Sequence, residues 1–76
     1  GLTNYARINL ILIETGQTEL ILFDQIGNKI ETVYSGHPSA GSQEINLDLS
    51  NYTNGRYYIK LTTLTISKTE IIEVVR

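Results

Sequence analysis

The chain has 76 residues, a net charge of −2 and no cysteine. Its length suits one small domain, which at ~0.05–0.15 kcal/mol per residue is stable by only about 4–11 kcal/mol. Six basic residues against eight acidic ones provide no basic surface to follow a phosphate backbone, which argues against nucleic-acid binding. Without cysteine, neither disulfides nor a thiolate metal site can supplement the core. The longest apolar run, residues 10–13, is far shorter than a membrane-spanning helix.

Alternating apolar and polar residues predict six β-strands. In chain order they cover residues 5–14, 18–24, 29–34, 43–49, 56–62 and 69–75. A seventh strand stays open, either from a split of the first run or from residues 63–66. Short strands with glycine-containing turns between them are typical of an all-β fold. We therefore expect residues 1–76 to form one antiparallel β-sandwich of six to seven strands.

The shared phase of the alternation predicts the core. The residues expected inside are Ile8, Leu10, Leu20, Leu22, Ile30, Leu47, Tyr57, Ile59 and Leu61. Ile30 and Val33 both point inward only if a bulge lies between them. The seven residues from 50 to 56 contain an Asn-Gly pair and suit a connection that crosses between two sheets. In the turn after residue 24, Gly27 is expected to be left-handed and Asp24 to cap the backbone.

A second set of apolar residues falls on the opposite phase of the first two strands. If these strands form a simple hairpin, one face carries Ile11, Ile13, Ile21 and Phe23. A single sandwich cannot bury both faces of that sheet. We therefore expect an exposed apolar patch that contacts a partner or a second copy of the chain, as in a homodimer.

Catalytic and metal-binding arrangements are not visible in the sequence. His37 is the only histidine, and no Asp-rich loop with calcium-ligand spacing exists. No base is placed to activate a serine or threonine. We therefore expect no catalytic, cofactor-binding or metal-binding residues, and no enzyme activity. The five tyrosines allow two interpretations, a sugar-stacking platform or packing within the sandwich, and the absence of tryptophan favours packing.

The order of short motifs along the chain resembles the C-terminal sorting domain of type IX secretion cargo proteins, the Por secretion tail. A D-x-x-G turn with Asp24 and Gly27 is followed by a small-residue loop with Gly41 and by an I-x-L-D-L-S segment at residues 45–50. Residues 52–59 then match a P-x-x-G-x-Y element through Gly55 and Tyr57, with tyrosine in place of proline. A terminal hydrophobic strand led by Lys68 completes the pattern over most of the chain.

The resemblance implies an immunoglobulin-like sandwich that is the C-terminal domain of a longer secreted protein. It implies that Asp24, Gly27, Gly41, Gly55, Tyr57 and Lys68 carry the sorting motif. The expected partners are the outer-membrane translocon, a sortase-like protease that removes the domain, and the passenger domain of the same chain. The apolar patch is expected to contact the translocon, the passenger domain or a second copy of the chain. The passenger would travel through the periplasm to the cell surface or be secreted. The alternative is a non-catalytic immunoglobulin-like accessory or structural module, flagellar-hook-cap-like or carbohydrate-binding, beside a catalytic domain.

Overall fold

A computed structural model describes residues 5–75 and shows six antiparallel strands in two sheets. The strands are β1 (Tyr5–Leu12), β2 (Thr18–Asp24), β3 (Lys29–Gly36), β4 (Gly41–Asp48), β5 (Gly55–Thr62) and β6 (Ser67–Val74). β1 and β4 form one sheet, and the other has the order β3-β2-β5-β6. No helical segment of residues 5–75 has the length and hydrophobicity needed to span a lipid bilayer. The all-β sandwich is confirmed.

The strand order is that of an immunoglobulin sandwich. If β1 and β4 correspond to strands B and E, the second sheet has the immunoglobulin order C′-C-F-G. The connection from β4 to β5 therefore crosses between the sheets, as its length predicted. Residues 63–66 do not add a strand. They form the β5–β6 turn, in which the amide of Thr63 donates to the carbonyl of Ile66 at 2.8 Å.

The core lies between the β1–β4 sheet and the larger sheet. The buried apolar residues are Leu10, Leu12, Leu20, Leu22, Leu47, Leu49, Tyr57, Ile59 and Val74. Ile8 and Leu61 are half-buried and pack against this cluster. The period-two phase thus identified the inner faces of four strands, because their alternating side chains have a second sheet to pack on.

One core prediction is wrong. Ile30 is 40% exposed, whereas Val33 is half-buried against the core. The pairing of β3 with β2 has two irregularities, one that skips Val33 and a second that skips Ile30. The sequence pattern led us to expect a single bulge between these two residues. The second bulge leaves Ile30 unpaired on an edge strand, outside the area that the smaller sheet covers.

Candidate functional site

Four of the six motif residues meet at one end of the sandwich, which we call the motif end. Asp24 and Tyr57 are paired residues of the neighbouring strands β2 and β5. Gly55 begins β5 opposite Val74, near the C-terminal end of β6. Gly27 lies in the turn that leaves β2. The fold therefore brings together residues that are separated by up to about thirty positions in the sequence.

The turn after β2 is held by the carboxylate of Asp24. Its Oδ1 accepts hydrogen bonds from the amides of Ile26 at 3.0 Å and Asn28 at 2.9 Å. The amide of Gly27 donates to the Asp24 carbonyl at 3.1 Å. Gly27 has φ +92°, a left-handed conformation that glycine adopts without steric cost. Both roles predicted for this turn, the aspartate cap and the left-handed glycine, are confirmed.

Tyr57 fixes the connection that crosses from β4 to β5. Its hydroxyl donates to the backbone carbonyl of Thr53 at 2.8 Å and lies 3.3 Å from the Thr53 hydroxyl. Its ring is buried and lies 5.5 Å from the ring of Tyr52 at an interplanar angle of 33°. A tyrosine near the start of strand F that bonds to backbone a few residues upstream is the tyrosine corner of immunoglobulin-like sandwiches. Sequence reasoning missed Thr53, although its position four residues before a core tyrosine is the signal for such a corner.

Two adjoining depressions open at the motif end, with volumes of about 240 and 450 Å³. They share Gln25, Asn54, Gly55 and Arg56 in their walls, and the larger one also reaches Val74 and Val75. Arg56 forms an exposed ion pair with Glu73 of β6, with Nη2 and Oε1 3.2 Å apart. The end of β6, the turn after β2 and the end of the connection from β4 to β5 therefore form one continuous surface.

The other two motif residues lie at the opposite end of the sandwich. Gly41 begins β4 opposite Leu12, and it has φ +122°. Lys68 lies opposite Leu61 near the start of β6, with its Nζ 3.5 Å from Glu70 Oε1. The six motif residues consequently do not form a single site.

The predicted apolar patch is wrong as a single surface. β1 pairs with β4 and not with β2, so the two strands belong to different sheets. Ile11 and Ile13 are 79% and 75% exposed on the outside of the smaller sheet. Ile21 and Phe23 lie half-buried on the outer face of the larger sheet. A local hairpin was expected because the two runs are adjacent in the chain, but the long-range pairing with β4 replaces it.

No group of three or more His, Cys, Asp or Glu side chains within residues 5–75 is placed to hold a metal ion. His37 is exposed in the loop before β4. The surface at the motif end carries backbone turns, one ion pair and short apolar side chains.

Comparison with protein families decides between the two functional interpretations. Residues 3–74 match the family described as the secretion system C-terminal sorting domain. The chain belongs to this family. It is a C-terminal sorting signal for type IX secretion, and the accessory-module alternative is not favoured.

Membership of this family indicates where the domain is exported and which machinery it interacts with. Type IX sorting domains direct export to the cell surface or secretion, and they interact with the type IX secretion machinery. The family is one of sorting signals rather than of catalytic domains. Searches among curated proteins and among solved structures give no significant match.

Proposed function

We propose that the type IX translocon reads the last strand of this sorting domain, from Lys68 to the end of the chain, by adding backbone to its free edge. The observation that carries the proposal is the place of β6 in the sheet. Within residues 5–75 it pairs only with β5, so its other edge presents unpaired amide and carbonyl groups. An extended segment of a partner can pair with such an edge, and side chains then select the partner. Arg76, the last residue of the proposed segment, lies outside the described residues.

β6 suits edge pairing better than β3, the other edge of the larger sheet. β6 runs in unbroken register with β5 over all eight of its residues, whereas β3 is interrupted by two bulges. Bulges twist an edge away from further pairing. Near the C-terminal end of β6, Ile71 and Val75 are 55% and 76% exposed, so apolar contact can accompany the backbone pairing.

The motif end fixes the position of β5, the strand with which β6 pairs. Gly55 pairs with Val74 and Tyr57 with Ile72, so the tyrosine corner fixes the strand on which the end of β6 rests. Gly27 shapes the turn beside it, through which Gln25 contributes to the shared depression. Gly41 lies at the far end and acts on the platform only through the position of β4. Gly27, Gly41, Gly55 and Tyr57 are therefore assigned structural roles, whereas β6, which includes Lys68, is assigned the contact with the partner.

The passenger and the processing enzyme complete the proposal. The domain is the C-terminal domain of a longer secreted protein and has no catalytic activity of its own. It delivers the passenger to the surface, where a sortase-like protease removes it. The surface of the domain that meets the passenger remains separate from β6, because β6 is engaged by the translocon.

The test is surface delivery of an exported reporter fused to residues 1–76, in a host that has type IX machinery. We expect delivery of the full fusion and loss of delivery when the fusion ends at Ser67. Because removal of β6 also exposes core residues, a second pair of variants is needed. Val75→Asp should reduce delivery and leave the fold intact, whereas Ile13→Asp should not reduce it. These two positions match in exposure, at 76% and 75%, but only Val75 adjoins the end of β6.

Thermal unfolding monitored by circular dichroism shows whether each variant is folded before delivery is compared. Delivery of both full-length and truncated fusions would contradict the proposal. Equal delivery by folded Val75→Asp and folded Ile13→Asp variants would remove the end of β6 from the recognised surface. Failure of the full fusion to reach the surface although it is folded would contradict the sorting role of residues 1–76.

A further inference from the structure

The outer face of the larger sheet carries an apolar row that crosses three strands. Phe23 of β2 pairs with Tyr58 of β5, and Tyr58 pairs with Ile71 of β6, so their side chains lie side by side. They point away from the core, because the core residues of these strands occupy the alternate positions. Ile71 is 55% exposed, and Phe23 and Tyr58 are half-buried. Ile21 lies beside this row on the same face of β2. We call these four residues the outer stripe.

Charged side chains lie on several sides of the outer stripe. Lys29 of β3 pairs with Phe23 and ends the apolar row on the β3 side. Lys60 of β5 lies in the next row along the strands. In the row on the other side, Arg56 forms an exposed ion pair with Glu73. A partner of this face must therefore offer an apolar centre and must avoid cations at the positions opposite these side chains.

A second copy of the same face meets both requirements in one orientation. A two-fold axis parallel to the strands, placed between β2 and β5, sets each residue of β2 opposite its own pairing partner on β5 of the second copy. It likewise sets β3 opposite β6. The facing pairs are then Phe23 with Tyr58, Ile21 with Lys60 and Ile71 with Lys29. No two like charges meet in these pairs, and the aliphatic stems of the lysines cover the isoleucines.

The other face-to-face orientation brings like charges together. Lys60 and Arg56 lie two positions to either side of Tyr58 on β5. A two-fold axis across the strands, centred on the apolar row, would set Lys60 opposite Arg56 of the second copy at two symmetric places. Like charges facing each other in an interface suppress that arrangement. The charge pattern thus selects the axis parallel to the strands.

The area of the face sets the strength of such a dimer. The larger sheet has four strands of seven to eight residues. At about 4.8 Å between strands and about 3.4 Å per residue, its face measures roughly 19 Å by 26 Å, or about 500 Å². Two such faces together bury roughly 1,000 Å², at the low end for a specific interface. The dimer is therefore weak and reversible, and it forms at high protein concentration.

We propose that the outer face of the larger sheet is the interface of a homodimer, in which Phe23 of each copy packs on Tyr58 of the other. This goes beyond the sorting role and does not depend on it. The amide and carbonyl groups on the free edge of β6 lie in the plane of the sheet, not on its face. A face-to-face dimer leaves that edge open, so dimerisation is compatible with backbone addition to β6.

Sedimentation equilibrium of residues 1–76 at concentrations up to about 1 mM tests the proposal. We expect a reversible equilibrium between monomer and dimer. Phe23→Glu and Tyr58→Lys should each raise the dissociation constant at least about tenfold, because each places an unpaired charge in the interface. Ile11→Glu is the matched control and should leave the dissociation constant unchanged, since Ile11 is 79% exposed on the outside of the smaller sheet.

Two outcomes would overturn the proposal. A parent protein that stays monomeric at every concentration would leave the outer face to a different protein. Equal weakening by Ile11→Glu would assign the interface to the smaller sheet. Circular dichroism shows that each variant is folded before its dissociation constant is compared. If Phe23→Glu unfolds, the comparison of Tyr58→Lys with Ile11→Glu still decides.

A mixture of the two charged variants tests the facing pair itself. In a dimer of one Phe23→Glu copy and one Tyr58→Lys copy, the introduced carboxylate faces the introduced ammonium at one contact. The other contact keeps both native aromatic rings. The mixture should therefore dimerise at least about tenfold more tightly than either variant alone. A mixture no tighter than the separate variants would show that Phe23 does not face Tyr58 across the interface, which contradicts the proposed dimer.

Discussion

The middle and the edges of the larger sheet differ in how strongly the second sheet constrains them. β5 lies in the middle and has Tyr57 and Ile59 at 8% and 5% exposure. β3 lies at an edge, and of its eight residues only Val33, Tyr34 and Gly36 are even half-buried. The smaller sheet has two strands and the larger one four, so the larger sheet cannot be covered equally along its whole width. An apolar residue on an alternating run is therefore core in one strand and surface in the other, even when the local sequences look alike.

The largest expected effect is a loss of stability in the middle of this sheet, which is measured by comparing substitutions at two isoleucines. Ile59→Ala should lower the free energy of unfolding by about 2–5 kcal/mol, because it leaves a cavity among buried neighbours. Ile30→Ala should cost less than about 1 kcal/mol, since Ile30 is 40% exposed and can relax. Urea denaturation of both variants measures the difference. Leu47→Ala, at a buried position of the opposite sheet, should resemble Ile59→Ala.

Against a total stability of about 4–11 kcal/mol, the loss at Ile59 or Leu47 should leave much of the protein unfolded near body temperature. Equal losses at Ile59 and Ile30 would show that the edge is as tightly packed as the middle. A loss below about 1 kcal/mol at Leu47 would place that residue outside the core.

A smaller effect is expected in the turn that joins the middle strand β2 to the edge strand β3. Gly27→Val should destabilise the domain by about 1–2 kcal/mol, the cost of a left-handed conformation for a residue with a side chain. No heavy atom lies within 4 Å of a Cβ added to Gly27, so the cost is conformational and not a clash. Gly27→Asn should cost less, because asparagine adopts this conformation more readily. Thermal unfolding of the two variants provides the check, and an equal loss in both would point to a contact of Gly27 instead.

The sequence predicted the parts of the fold that depend on local pattern. The phase of alternation placed eight of the nine expected core residues on the inner side, and Asp24 and Gly27 were identified from turn chemistry alone. The pairing of β1 with β4 was missed because it joins residues far apart in the chain, and no local signal distinguishes it from a hairpin with β2. For the same reason Ile11 and Phe23 were assigned to one face. Ile30 was misplaced because bulges depend on the partner strand.

The candidate site shows the same division between local and long-range information. The order of Asp24, Gly55 and Tyr57 along the chain was sufficient to suggest the family, yet their meeting at one end of the sandwich follows from the pairing of β2 with β5. The edge position of β6 was suggested by the sequence as one option and is confirmed by the strand order. The depression of about 360 Å³ beside β1 could not be predicted, because its walls come from strands of both sheets.

The smallest expected effect compares two neighbouring tyrosines of the middle strand β5. Tyr57 points inward and its hydroxyl donates to the Thr53 carbonyl, whereas Tyr58 is half-buried on the outer face. Tyr57→Phe should cost about 0.5–1.5 kcal/mol, the usual net value of one hydrogen bond, because the ring packing is retained. Tyr58→Phe should leave the stability within about 0.5 kcal/mol of the parent, as surface substitutions usually do. Urea denaturation with a common slope for all three proteins measures the difference.

Because the hydrogen bond from Tyr57 fixes the connection between β4 and β5, faster amide exchange at residues 50–54 should accompany the loss of stability in Tyr57→Phe. A loss without that local change would assign the stability to the core rather than to the corner.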